Sequence, residues 1–177
     1  MPRYVMMVTA LLVPTGWAEA RSTTVVCEGR SVDAWVAAAA ERVRMYDDLF
    51  AFAVDRFGEP TGCYVRTATE FDGAQFGTVQ YHFSSGVTFQ LETMPPAVSI
   101  VTLRSEDGFA DPEGVIEAVR LYSAGRGLAI DWEEPEHRGG AEDSIEQYWD
   151  PDPGLNGSVT LTRVAGALVA VRVSMAP

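Results

Sequence analysis

Apolar and polar residues alternate cleanly in two consecutive stretches near the middle of the chain. In FGTVQYHF, Val79, Tyr81 and Phe83 fall on one side and Thr78, Gln80 and His82 on the other. After the turn residues Ser84-Ser85-Gly86 the pattern resumes, with Val87, Phe89 and Leu91 against Thr88, Gln90 and Glu92. A period of two is the mark of a half-buried strand, so these segments predict a β-hairpin with one apolar and one polar face. A short strand between Cys63 and Ala68 precedes it, and AVSIVTLR follows it beyond Met94-Pro95-Pro96. Together they predict an antiparallel meander whose apolar face needs a covering layer.

Helical periodicity supplies that layer. From Ser31 onward, Val32, Trp35, Val36, Ala39, Val43, Tyr46, Leu49, Phe50, Ala53 and Phe57 recur at steps of three and four. That is one stripe of a helix, and it predicts a single long element from about Val32 to Phe57, with Ser31 as its N-cap and Gly58 and Pro60 as its stop. Asp111-Pro112-Glu113 opens a second helix, with Val115, Ile116, Val119 and Tyr122 as its stripe and Gly125 or Gly127 at its end. Leu128 to Trp132 then reads as a short strand. SVTLTR and ALVAVRVS read as a final hairpin turning near Ala165-Gly166. The expected fold is α+β: an antiparallel sheet of about five to six strands, with a long N-terminal helix and a second shorter helix packed on one face. This order resembles the small α/β scaffold of secretion-chaperone-like proteins, a likeness of topology that implies no function.

The first twenty residues change the picture of where such a domain works. Arg3, an apolar run from Tyr4 to Val13, a break at Pro14 and Gly16, and Ala18-Glu19-Ala20 have the form of a secretory signal peptide. The expectation is a signal peptide over 1–20 and a single domain over 21–177, periplasmic or secreted. The apolar run is too short to span a bilayer, and no later run is longer. The only two cysteines, Cys27 and Cys63, are expected to form a disulfide in an oxidising compartment. Bridging them across a helix spanning ~39 Å requires the chain to run back along that helix.

Composition narrows the chemistry. All 13 basic residues are arginine, which excludes lysine-nucleophile and Schiff-base mechanisms. A formal charge of -12 argues against a nucleic-acid or anionic-membrane surface and favours a basic protein partner in the envelope. Much of that charge lies between Asp131 and Asp152, where Asp131, Glu133, Glu134, Glu136, Glu142, Asp143, Glu146, Asp150 and Asp152 meet a single Arg138. Pro135, Gly139 and Gly140 predict a solvated loop there.

Two sharper readings attach to this acidic segment. Asp150, Asp152 and Asn156 offer oxygen ligands on a tight turn, yet their spacing fails the EF-hand template. Trp132 and Trp149 beside Glu146, Asp150 and Asp152 have the residue types of a sugar site, and a carboxylate-based hydrolase would need two of the acids facing each other across a cleft. His82, centred on the polar strand face, completes the candidate binding residues. No catalytic motif and no cofactor motif appears. The resulting expectation is an exported, non-catalytic binding or accessory protein acting through the acidic segment or the polar sheet face, with a calcium-dependent carbohydrate binder or a carboxylate-based hydrolase as the alternative.

Overall fold

The computed structural model describes residues 27–28, 47–69, 75–94, 97–140, 142–152 and 157–175. Their strands are β1 (Cys27–Glu28), β2 (Pro60–Thr69), β3 (Gln75–Phe83), β4 (Val87–Met94), β5 (Ala97–Ser105), β6 (Glu136–Gly139), β7 (Ser144–Trp149), β8 (Ser158–Val164) and β9 (Ala167–Ser174). They form one nine-stranded sheet in the order β1-β2-β3-β4-β5-β9-β8-β7-β6. Every neighbouring pair from β2 to β6 along that order is antiparallel, and β1 alone is parallel, to β2.

The helices among the described residues are α1 (Asp48–Phe57) and α2 (Pro112–Gly125). Both pack on the same side of the sheet, where Leu49, Phe50, Val115 and Val119 join Tyr81, Phe89, Leu103 and Val171 in one buried cluster. Phe50 is the keystone of α1, with its ring 4.6 Å from Tyr81 and 5.2 Å from Phe89. Neither helix is long and apolar enough to cross a membrane.

This architecture corrects the expected one in three places. First, the sheet has nine strands rather than five or six. The acidic segment, expected as a loop, contributes β6 and β7, paired as a hairpin at the sheet edge. Every residue of β6 is exposed, so an edge strand forms there without the alternation that would announce it. Second, Leu128 to Trp132 is not a strand. Leu128 and Ile130 are buried, yet the segment is fixed by isolated bonds, among them Asp131 N–H to the Trp149 carbonyl at 3.0 Å.

Third, the helix begins at Asp48 instead of running on from Val32. Asp47 has extended backbone, φ -89° and ψ 117°, and its carboxylate accepts the Phe50 N–H at 2.9 Å as an N-cap. The same buried carboxylate accepts from the Tyr122 hydroxyl and the Arg126 guanidinium, each at 3.0 Å. A helical Asp47 would surrender these bonds from α2, so the tertiary network terminates α1 where sequence periodicity would carry it onward. Ser31 and the stripe from Val32 to Val43 lie outside the described residues.

The two cysteine positions meet at the sheet edge. Cys27 stands directly opposite Cys63 in the β1–β2 register, and Cys63 is disulfide-bonded. Parallel strands about 4.8 Å apart put facing Cα atoms within the range a disulfide spans. Closing the intervening loop contributes on the order of 4 kcal/mol by the chain-entropy relation.

Candidate ligand-binding face

Residues opposite each other in an antiparallel pair share a sheet face, so the register traces a continuous row across the molecule. Tyr64 faces Gln80, Gln80 faces Gln90, Gln90 faces Thr102, Thr102 faces Arg172 and Arg172 faces Thr160. The row lies on the side away from α1 and α2, because the flanking Val79, Phe89, Leu103 and Val171 all point into the helix-covered core. A second row beside it carries His82, Thr88, Arg104, Ala170, Thr162 and Ile145 in register.

Around these two rows the outer face forms a depression of about 400 Å³. Gln80, His82, Thr88, Gln90 and Thr102 line it together with Arg104 and Arg172, and Glu92 and Glu106 stand on the same wall. No lining residue is hydrophobic. The amides are ordered: Gln80 Nε2 donates to Gln90 Oε1 at 2.6 Å, and Gln90 Nε2 donates to Glu92 Oε1 at 2.9 Å. This is a polarised chain ending on a carboxylate, which fixes the direction in which a bound group must donate or accept. Thr88 Oγ1 lies 3.3 Å from His82 Nδ1, and no carboxylate orients that imidazole among the described residues.

The sequence-derived candidates divide between the two sides of the sheet. His82 and Trp149 lie on the outer face; Trp149 is 43% exposed and belongs, through Ser158, Ser174 and Ile100, to the transverse row of Glu92. Tyr64 and Ile145 are also exposed on this face, so three of the five large exposed apolar side chains among the described residues lie on the outer side of the sheet, and none of them lines the depression. Trp132 and Glu146 lie on the helix side. Trp132 stacks on Tyr148 at 5.0 Å, under the Arg120 guanidinium at 4.9 Å. Glu146 accepts the Tyr148 hydroxyl at 3.1 Å and pairs with Arg163 at 3.5 Å. Burial, reinforced by the Glu146 charge, raises the Tyr148 pKa and keeps that phenol a donor.

Asp150 is buried and serves the backbone, accepting from Ala129 N at 2.8 Å and from Asp152 N at 2.9 Å. It bolts the irregular segment after α2 to the end of β7. Asp152 is exposed, and Asn156 lies outside the described residues. Among the described residues no three His, Cys, Asp or Glu side chains are grouped to hold a metal ion.

Arg104, Arg172 and Thr102 were not singled out by sequence. Alternation marks each locally, since Arg172 stands between the buried Val171 and Val173 and Arg104 between Leu103 and Ser105. What sequence could not show is that β9 pairs with β5 rather than only with its hairpin partner β8. That pairing brings the two arginines together. Comparison with protein-family models, curated proteins and solved structures finds no match to this chain.

Proposed function

We propose that this chain is an exported, non-catalytic binding protein whose working surface is the outer face of its sheet. One observation carries the reading: hydrogen-bonding side chains from four different strands converge on one 400 Å³ depression, on the side that neither described helix covers. Fixed polar groups on strands hold a ligand with less loss of freedom than groups on loops, because their positions are set before it arrives. The N-terminal twenty residues and the disulfide-bonded Cys63 support an extracytoplasmic address.

The acidic segment is the less supported surface. Asp150, Glu146 and Asp143 are occupied internally, the last accepting Ala165 N–H at 2.9 Å. The carboxylates that remain exposed, Glu133, Glu134 and Glu142 among them, supply long-range attraction for a basic partner without a geometry of their own.

The test is capture from an envelope extract by the mature, oxidised protein, at low and high salt, beside a Thr88→Trp variant that fills the depression. A stoichiometric ligand held by the parent protein and lost by the variant is the expected result. Equal capture by both proteins would move the binding surface elsewhere.

A further inference from the structure

We propose that the depression is a site for a hydroxylated carboxylate, the chemistry of a sugar acid, with Arg104 and Arg172 holding the carboxylate and the Gln80–Gln90–Glu92 chain taking its hydroxyl groups. This names the ligand class of the binding face and rests on that reading.

The arginines are the anomaly that leads here. Seven arginines have described side chains, and five of them pair with an acid: Arg56 with Asp111, Arg120 with Glu117, Arg126 with Asp47, Arg138 with Glu136 and Arg163 with Glu146. Arg104 and Arg172 have no ion pair among the described residues, in a chain with 25 acidic residues to choose from. Arg172 faces Thr102, and Arg104 is two residues along the same strand as Thr102, so the two are diagonal cross-strand neighbours. Their Cα atoms are therefore about 7–8 Å apart, close enough for both guanidinium forks to reach one oxyanion. Two adjacent cations with no direct ion pair make this part of the wall locally positive, and a bound anion is favoured there.

The rest of the wall selects among anions. Glu92 and Glu106 repel a doubly charged phosphate more than a singly charged carboxylate. A wall without hydrophobic residues gives a fatty or aromatic acid nothing to bury against, whereas hydroxyl groups find amide, imidazole and threonine partners. The polarised amide chain offers an N–H at Gln80 and a carboxylate acceptor at Glu92, which suits groups that both donate and accept. From β3 to β9 the depression crosses four strands, ~14 Å at ordinary strand spacing, room for one to two sugar rings.

The experiment is calorimetric titration of the mature, oxidised protein with galacturonate, galactose and inorganic phosphate, in parent, Arg104→Gln, Arg172→Gln and Arg104→Lys forms. Saturable galacturonate binding is expected, at least tenfold weaker in either Gln variant, partly restored in Arg104→Lys, and at least tenfold tighter than galactose. Phosphate is expected to bind more weakly than galacturonate. Circular dichroism of each variant separates lost binding from lost folding, and both arginines are exposed on the surface. No binding of galacturonate, binding indifferent to both arginines, or phosphate bound as tightly would overturn the sugar-acid assignment. If capture still fails only in Thr88→Trp, the binding face stands with a different ligand; if Thr88→Trp captures normally, both readings fall.

Discussion

Phe89 and Gln90 are adjacent on β4, yet they live in different media. The Phe89 ring is fully buried against Phe50 and Tyr81, whereas Gln90 faces outward and spends its amide on Gln80 and Glu92. The same contrast repeats at Leu103 and Thr102 and at Val171 and Arg172, so one sheet has a face that holds the fold together and a face released from that duty. Stability on the inner side comes from apolar area and packing, which tolerate no voids. The outer side contributes little to folding, and its hydrogen-bonding groups are available to a ligand. Phe89→Ala tests the inner half of this contrast most severely. A loss of about 4 kcal/mol in unfolding free energy is expected from removing a buried aromatic ring, read by denaturant unfolding monitored by circular dichroism.

The second-largest effect is expected at Asp47, where the inner side depends on a charge. Its carboxylate caps α1, receives the Tyr122 hydroxyl and pairs with Arg126, tying the two helices together beneath the sheet. Asp47→Ala removes the cap and leaves a buried phenol without its acceptor, a loss of about 3 kcal/mol. Asp47→Asn keeps the cap oxygen and should recover part of it. If the alanine variant unfolds no more easily than the parent, α1 is held by its apolar stripe alone.

These two sites also mark what sequence could and could not reveal. Period-two alternation in 76–83 and 87–92 is the direct imprint of a sheet with unlike faces, so the central strands and the polar face carrying Gln80, His82, Thr88 and Gln90 were legible. β6 was not, because a strand exposed on every residue carries no alternation. The start of α1 was not, because Tyr122 and Arg126, which hold the Asp47 carboxylate in its capping position, lie 75 and 79 residues away. Nor was the arginine pair, because the β5–β9 pairing is a property of the whole sheet. The aromatic and acidic residues at 132–152 looked like a site by type, yet Trp132, Glu146 and Asp150 turn inward and hold the hairpin and the adjoining segment to the body.

A smaller effect, resolved by pH, is expected at Tyr122. Burial first, and the neighbouring Asp47 charge second, push its pKa well above the usual value of 10.0. The phenol therefore keeps its proton in the folded chain while the unfolded chain releases it. Its contribution to stability is complete below about pH 10 and is lost as pH rises further, since the unfolded state then binds fewer protons. Tyr122→Phe removes the hydrogen bond to Asp47, at about 1 kcal/mol near neutrality, and should flatten the fall in melting temperature above pH 10. An alkaline limb as steep as the parent's would assign that loss to other groups, Tyr148 first among them.

The smallest stability effect is expected at Gln90, and it bears most directly on the contrast between faces. Gln90→Ala deletes the middle of the amide chain, leaving Gln80 and Glu92 on a surface that water reaches. Half-buried polar groups that regain water lose little, so the change in unfolding free energy should stay within about 0.5 kcal/mol. Ligand capture should nevertheless fall, because the link that orients Gln80 toward Glu92 is gone. A variant that is as stable as the parent and binds less would separate the two faces by function as well as by chemistry. If Gln90→Ala instead costs as much as a core substitution, the outer row is part of what holds the sheet together, and the division drawn between Phe89 and Gln90 fails at its central strand.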